Sequence, residues 1–296
     1  QDFDYGLYGR QLSNLEYEKD YKGLRAIIDY KIKRACDVYK LESDKKDYEF
    51  CMKAALKEYE YVSKLEKAQN DKDIKKIHNE RDLEWARDRA NFYHSYETLA
   101  NQSHETYIQI IKDTGFIFTN YYRVGEPYLA SHYAKKYINN IQAIRKNLSA
   151  NYKDMFEIFT QGHTRNLKIA ARIFYEIGDT KSAWATLRII KENQFLDFVR
   201  RRNFEERYLS VVNTVKYEKD FDLIMSNIQL EIRALNKELE LHKNKSSQRI
   251  LYENEIIAKE KEINRITKKY SEQIKISLKK DAVRTHDKIL ATKSGE

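Results

Sequence analysis

Apolar residues recur at three- and four-residue steps along almost the whole chain. Leu24, Ile27, Ile28, Ile32, Ala35 and Tyr39 make one stripe, and Met52, Leu56, Tyr59, Val62 and Leu65 make the next. A period near 3.6 residues predicts amphipathic helices. Ser43-Asp44-Lys45-Lys46 interrupts the two stripes with N-cap chemistry, so residues 22–41 and 45–69 are predicted as an antiparallel helix pair. The pattern continues into predicted helices at about 71–99, 104–124, 127–147, 151–161, 163–177, 180–192 and 195–217.

The junctions between these helices are short. Gly125-Glu126-Pro127 ends one helix and starts another, with Pro127 at a first-turn position where its missing N–H is not needed. Gly178-Asp179-Thr180 combines a Gly stop with an Asp cap. Two junctions look alike: Phe118-x-x-Tyr121-Tyr122-x-x-Gly125 followed by Ala130, and Ala171-x-x-Phe174-Tyr175-x-x-Gly178 followed by Ala183. In each, an aromatic pair sits on the first helix, Gly frees the turn, and a small Ala lets the second helix approach. Short junctions make consecutive helices pack antiparallel.

After Gly178 the character changes, with no Gly or Pro before Gly295. Ile228, Ile232, Leu235 and Leu239 form one narrow seam, and Tyr252, Ile256, Ile263, Ile266, Tyr270 and Ile274 form a second. The polar Lys243-Asn244-Lys245-Ser246-Ser247 lies between them. Seams at near-heptad spacing predict two long helices folded back as an antiparallel coiled-coil hairpin. The expected organisation is a helical array over 1–220, a hairpin over 221–280, and a tail or truncated continuation over 281–296.

Composition narrows the class. One Pro and eight Gly are too few turn residues for most all-β or α/β folds, and 41% apolar residues exclude a disordered linker. The expected class is all-α. The net charge of +9 is spread as interleaved Lys, Arg, Asp and Glu, which describes solvated helix faces better than a nucleic-acid surface. No apolar run approaches the ~18 residues of a membrane span. An opening Gln1 without Met is expected of a processed product or an excised piece; a cytoplasmic setting is favoured, with export open.

The two similar junctions resemble the tetratricopeptide repeat, a helix–turn–helix of about 34 residues. Residues 163–195 fit best, with Ala170, Phe174, Gly178, Ala183, Leu187 and Ile190 on the family's core positions. The junctions are 53 residues apart (Gly125 to Gly178), and the family's Trp and terminal Pro are missing, so the array is an irregular tetratricopeptide-like α-solenoid. Its last helix reads Ala183-Trp184-Ala185-Thr186-Leu187-Arg188-Ile189-Ile190-Lys191-Glu192-Asn193-Gln194-Phe195-Leu196-Asp197-Phe198, and a charged helical hairpin follows. This order is similar to the region upstream of the peptidase in caspase-HetF-associated (CHAT) proteins. The resemblance implies a recognition and scaffolding part whose peptidase domain lies elsewhere. The only cysteines, Cys36 and Cys51, are far upstream of the hairpin, so no catalytic residue carries over.

Candidate chemistry is sparse. His104-Glu105 has Ile108 where a zinc protease needs a second His. His78, His94, His132, His163, His242 and His286 are dispersed, so no metal or other cofactor is expected. Gly6 and Gly9 lack the Lys-Ser/Thr of a phosphate loop. Cys36 and Cys51 flank the 43–46 turn almost symmetrically; buried small residues are the expectation, and a disulfide is the alternative. Tyrosine, at 23 residues, is the oddity. Tyr gives amphipathic contact area and is enriched in binding surfaces, which nominates Tyr121, Tyr122, Tyr133 and Tyr137 as partner-binding residues, beside a core-filling role for most tyrosines. Arg200-Arg201-Arg202 is the densest basic run and suits a phosphate or an acidic partner peptide, beside the commoner reading of solvent-facing arginines that complement a helix dipole. The expected function is therefore a non-enzymatic scaffold that binds a protein or peptide partner. A basic adaptor for nucleic acid and a structural subunit of a larger assembly remain the alternatives.

Overall fold

The computed structural model describes residues 11–12, 14–36, 45–96, 104–151, 153–199, 212–241 and 246–293. The protein is all-α, and no strand occurs among the described residues. The helices are α1 (Tyr21–Lys31), α2 (Lys45–Lys67), α3 (Asp71–Tyr96), α4 (His104–Arg123), α5 (Pro127–Asn151), α6 (Lys153–Glu176), α7 (Thr180–Val199), α8 (Lys216–Leu241) and α9 (Ser246–Lys293). The chain forms two compact units, Gln1–Arg81 and Asp82–Glu296, with the division inside α3.

In the first unit, α1 and α2 are the expected antiparallel pair. Asp20 caps α1 by accepting the Gly23 N–H at 2.8 Å. Leu24, Ile28, Ala55 and Val62 form the core between the helices. Arg25–Glu66 (2.6 Å) and Lys31–Glu58 (2.8 Å) lace its edges in antiparallel register. The α-helix gives way at Ile32–Cys36 to a π-helical turn, whose extra residue rotates the following side chains around the axis. Cys36 and Cys51 are both buried and joined as a disulfide, with Cα atoms 5.4 Å apart. The alternative reading of these cysteines is the correct one. The pair is level, and the helices come close enough there for a bond.

In the second unit, α4–α5 and α6–α7 are two antiparallel hairpins with the same turn. Glu126 N–H donates to Tyr121 C=O (2.8 Å) and Gly125 N–H to Tyr122 C=O (3.1 Å); Asp179 and Gly178 make the same two bonds to Phe174 (2.8 Å) and Tyr175 (3.1 Å). This is the Schellman pattern. It needs a left-handed residue, supplied by Gly125 at φ 84 and Gly178 at φ 82. Asp179 then caps α7, accepting from the Ser182 N–H and hydroxyl at 3.1 and 2.7 Å.

Two predicted breaks are absent. Gly162 lies inside α6, which runs unbroken where helices at 151–161 and 163–177 were expected; an interior Gly costs a helix only about 1 kcal/mol. α7 likewise passes through 193–194, while 212–215 are not helical where a helix to 217 was expected. The helical state of α9 continues to Lys293, past the predicted start of a tail.

α8 and α9 are antiparallel, shown by Glu231–Lys259 (2.5 Å) and by stacked Phe221 and Tyr270 (centroids 3.9 Å, 10° between planes). Phe221, Met225, Ile228, Ile263, Tyr270 and Ile274 belong to the same core as α3–α7, so the base of this hairpin is part of the second unit.

Candidate functional site

The tyrosines nominated for partner binding divide by environment. Tyr121, Tyr133 and Tyr137 are 1–2% exposed. Tyr121 stacks on Tyr133 (5.7 Å, 18°), and Tyr137 packs on Phe118 (5.2 Å). Burial holds the hydroxyls of Tyr121 and Tyr137 above the ordinary phenol value. These three rings fill the core and offer no surface, which corrects their assignment as contact residues. Tyr122 is half-buried, and its hydroxyl donates to both Glu176 oxygens at 3.0 and 2.9 Å. Arg200, Arg201 and Arg202 lie outside the described residues.

Behind α5 lies a buried polar network. The Lys135 ammonium sits between Glu218 (2.9 Å) and Asp179 (3.1 Å). Burial alone would lower its pKa, but the two carboxylates outweigh this and hold Lys135 above its ordinary value. Glu218 uses its other oxygen to accept the Val215 N–H at 2.8 Å, the returning half of a capping box at the start of α8. His132 bridges Asp222 through Nε2 (2.8 Å) and Tyr270 through Nδ1 (2.8 Å). A carboxylate only accepts, so Nε2 donates to Asp222, while Nδ1 and the Tyr270 hydroxyl share the second bond. Asn139 clasps Val212, donating to its C=O at 2.9 Å and accepting from its N–H at 3.0 Å.

A His between an Asp and a hydroxyl has the outline of a nucleophile-activating triad, but His132 and Tyr270 are both buried, and burial pushes the Tyr270 hydroxyl well above its ordinary value. The network fastens the α8–α9 hairpin onto α5.

A groove of about 480 Å3 runs along α6 and α7, lined by Lys168, Ala171, Arg172, Tyr175, Thr180, Ala183, Trp184 and Leu187. Buried Ala171 and Ala183 form its floor. Tyr175 is 73% exposed, Trp184 72% and Leu187 42%. Leu187, expected on a core position, therefore faces outward, whereas Ala170, Phe174, Ala183 and Ile190 are buried as expected. Arg172 donates to Glu176 at 2.8 Å, and Arg172 and then Tyr122 hold that carboxyl below its ordinary value.

The groove residues escaped nomination because apolar side chains on a predicted helix are assigned inward. The missed signal is that α7 carries large apolar residues on more than one side: Ala183, Ile189 and Ile190 are buried, while Trp184 and Leu187 lie on its outer side between charged residues.

Among the described residues, no helix is long and apolar enough to cross a membrane, and no three His, Cys, Asp or Glu side chains are grouped to hold a metal. No protein-family model, curated protein or solved structure matches the chain.

Proposed function

We propose that this chain is a protein–protein interaction scaffold whose docking site is the α6–α7 groove. The observation that carries the reading is Trp184, 72% exposed beside Tyr175 and Leu187 on a small-residue floor. Trp, Tyr and Arg are the residues that dominate binding energy at protein interfaces, and all three line this groove. The hairpin is held rigid by the Gly178 turn, the Asp179 cap and the Lys135 bridge to Asp179. A site on a fixed scaffold loses little entropy on binding. The repeat-then-hairpin order keeps the resemblance to the region upstream of a CHAT peptidase as the wider setting, in which this chain recognises and another domain cleaves.

The test replaces Trp184 with a photo-crosslinking residue in the full chain, in extract of the native source. A discrete adduct is expected from position 184, lost when Leu187→Arg is added, and absent when the crosslinker stands at Trp85. No adduct from position 184, or the same adducts from both positions, contradicts the reading.

A further inference from the structure

The two hairpins correspond residue by residue, and the correspondence shows what the groove lacks. A shift of 53 positions, Gly125 onto Gly178, also carries Glu126 onto Asp179, Tyr121 onto Phe174 and Ala130 onto Ala183. The same shift carries Gly115, Tyr122, Ser131 and Ala134 onto Lys168, Tyr175, Trp184 and Leu187, four residues that line the groove.

On the first hairpin this face is occupied by α6, which packs on both α4 and α5. A Cβ on Gly115 would stand 3.5 Å from Asn166 of α6. Tyr122 donates to Glu176 near the end of α6. Gly115 precedes Tyr122 on α4 as Asn166 precedes Glu176 on α6, so the two helices run parallel. On the second hairpin no described residue takes that place. The next helix in the chain, α8, is instead fastened onto α5 through Glu218–Lys135 and Asp222–His132.

We infer that the groove receives one acidic amphipathic α-helix of a partner protein, seated on α6–α7 as α6 is seated on α4–α5 and parallel to α6. This deepens the docking reading above and rests on it. The fold itself supplies the precedent for a helix, since a helix covers the corresponding face.

The partner's charge follows from the substitutions between the two faces. Tyr175 stands where Tyr122 does, and so calls for a carboxylate near the C-terminal end of the incoming helix, in the role of Glu176. Lys168 replaces Gly115 and sets an exposed ammonium about two turns back along the groove. Arg172 is already paired with Glu176, and Lys181, exposed next to groove residue Thr180, adds a second ammonium to that of Lys168, which favours an acidic helix and opposes a basic one. Trp184 and Leu187 replace Ser131 and Ala134, so the contact is made by large apolar side chains, and the incoming helix needs a matching apolar stripe. Larger contact residues set its axis toward the outer part of the usual ~8–10 Å spacing.

The test uses the full chain with Trp85→Phe, which leaves Trp184 as the reporter because the sequence has two Trp. Two synthetic helices of about 20 residues are titrated, each with a Leu/Ala face, one with Glu and the other with Lys on the remaining positions. The Glu helix is expected to shift Trp184 emission to shorter wavelength and to bind at least about tenfold more tightly than the Lys helix. With a dye-labelled Glu helix, Trp184→Ala is expected to weaken binding about thirtyfold, with circular dichroism unchanged because the side chain is exposed. Lys168→Glu is expected to shrink or reverse the charge preference.

Equal affinity for the two helices overturns the acidic assignment and leaves the docking groove standing. Binding without a change in Trp184 overturns the seat. Binding of neither helix overturns the inference, as does a groove filled by single-stranded RNA or by a second copy of the chain, the latter seen as self-association abolished by Trp184→Arg. The docking reading fails separately, through the absence of a position-184 adduct.

Discussion

In α4–α5 the ring of Tyr122 is tucked beside α6 and bonded to Glu176, whereas its counterpart in α6–α7, Tyr175, stands in solvent. Ser131 is buried in the first hairpin, and Trp184 at the corresponding place is exposed in the second. Yet the turns are alike bond for bond. Local sequence makes each hairpin, because an aromatic pair, a left-handed Gly and a close-packing Ala act within a few residues of one another. What covers the outer face is decided by where the next helix goes. After α5 it returns to the face, and after α7 it docks on α5 through Glu218 and Asp222.

The comparison can be broken most sharply by truncating one large ring in each hairpin. Tyr133→Ala empties a core position and is expected to cost about 3–5 kcal/mol in denaturant unfolding, whereas Trp184→Ala is expected to stay within about 0.5 kcal/mol. Similar losses from both would mean that the second face is covered after all. The disulfide provides a control in the other unit. It closes a separation of 15 residues, so Cys36→Ser with Cys51→Ser is expected to destabilise the first unit by about 3 kcal/mol while Trp184 emission stays unchanged.

Exchanging the counterparts Gly115 and Lys168 comes next. A Cβ at Gly115 would already lie 3.1 Å from the Tyr137 ring, so Gly115→Lys is expected to cost about 1–3 kcal/mol by forcing α5 and α6 outward. Lys168→Gly should cost only the ~1 kcal/mol of helix propensity. The two turns should respond equally. Both glycines have positive φ with open space around them, so Gly125→Ala and Gly178→Ala are each expected to lose about 1 kcal/mol; unequal losses would show that the turns are not equivalent.

The smallest effect is a pH slope at the occupied face. His163 of α6 accepts the Tyr137 hydroxyl at 2.6 Å, and burial holds its pKa below the ordinary 6.5. Below pH 6.5 the unfolded chain binds this proton more readily than the folded one, so stability falls as pH drops from 6.5 toward the lower folded value and is unaffected above it. Melting curves at pH 7.5 and 5.5 should show a steeper acid loss for the wild type than for His163→Phe.

Much of the fold was legible because its signals are local. The stripes of α1 and α2 placed Cys36 level with Cys51, and Gly125 and Gly178 marked both turns. The site was less legible, for physical reasons. Tyrosine suits a core and an interface equally, so spacing alone could not separate buried Tyr121, Tyr133 and Tyr137 from exposed Tyr175. Trp184 and Leu187 look like core residues on a helix whose covering is not encoded nearby. The division between Arg81 and Asp82 falls within an unbroken helix and carries no turn signal, while Gly162 carries one that the flanking turns of α6 override.

The most direct measurement is of intermolecular NOEs between the full chain and an acidic helix labelled at either end. If the α6–α7 face is an open counterpart of the α4–α5 face, the C-terminal label reports to the Tyr175 ring and the mid-helix residues to Lys168 and Trp184, with the helix parallel to α6. An antiparallel helix, or contacts on α5 or α8 in place of these, would contradict it.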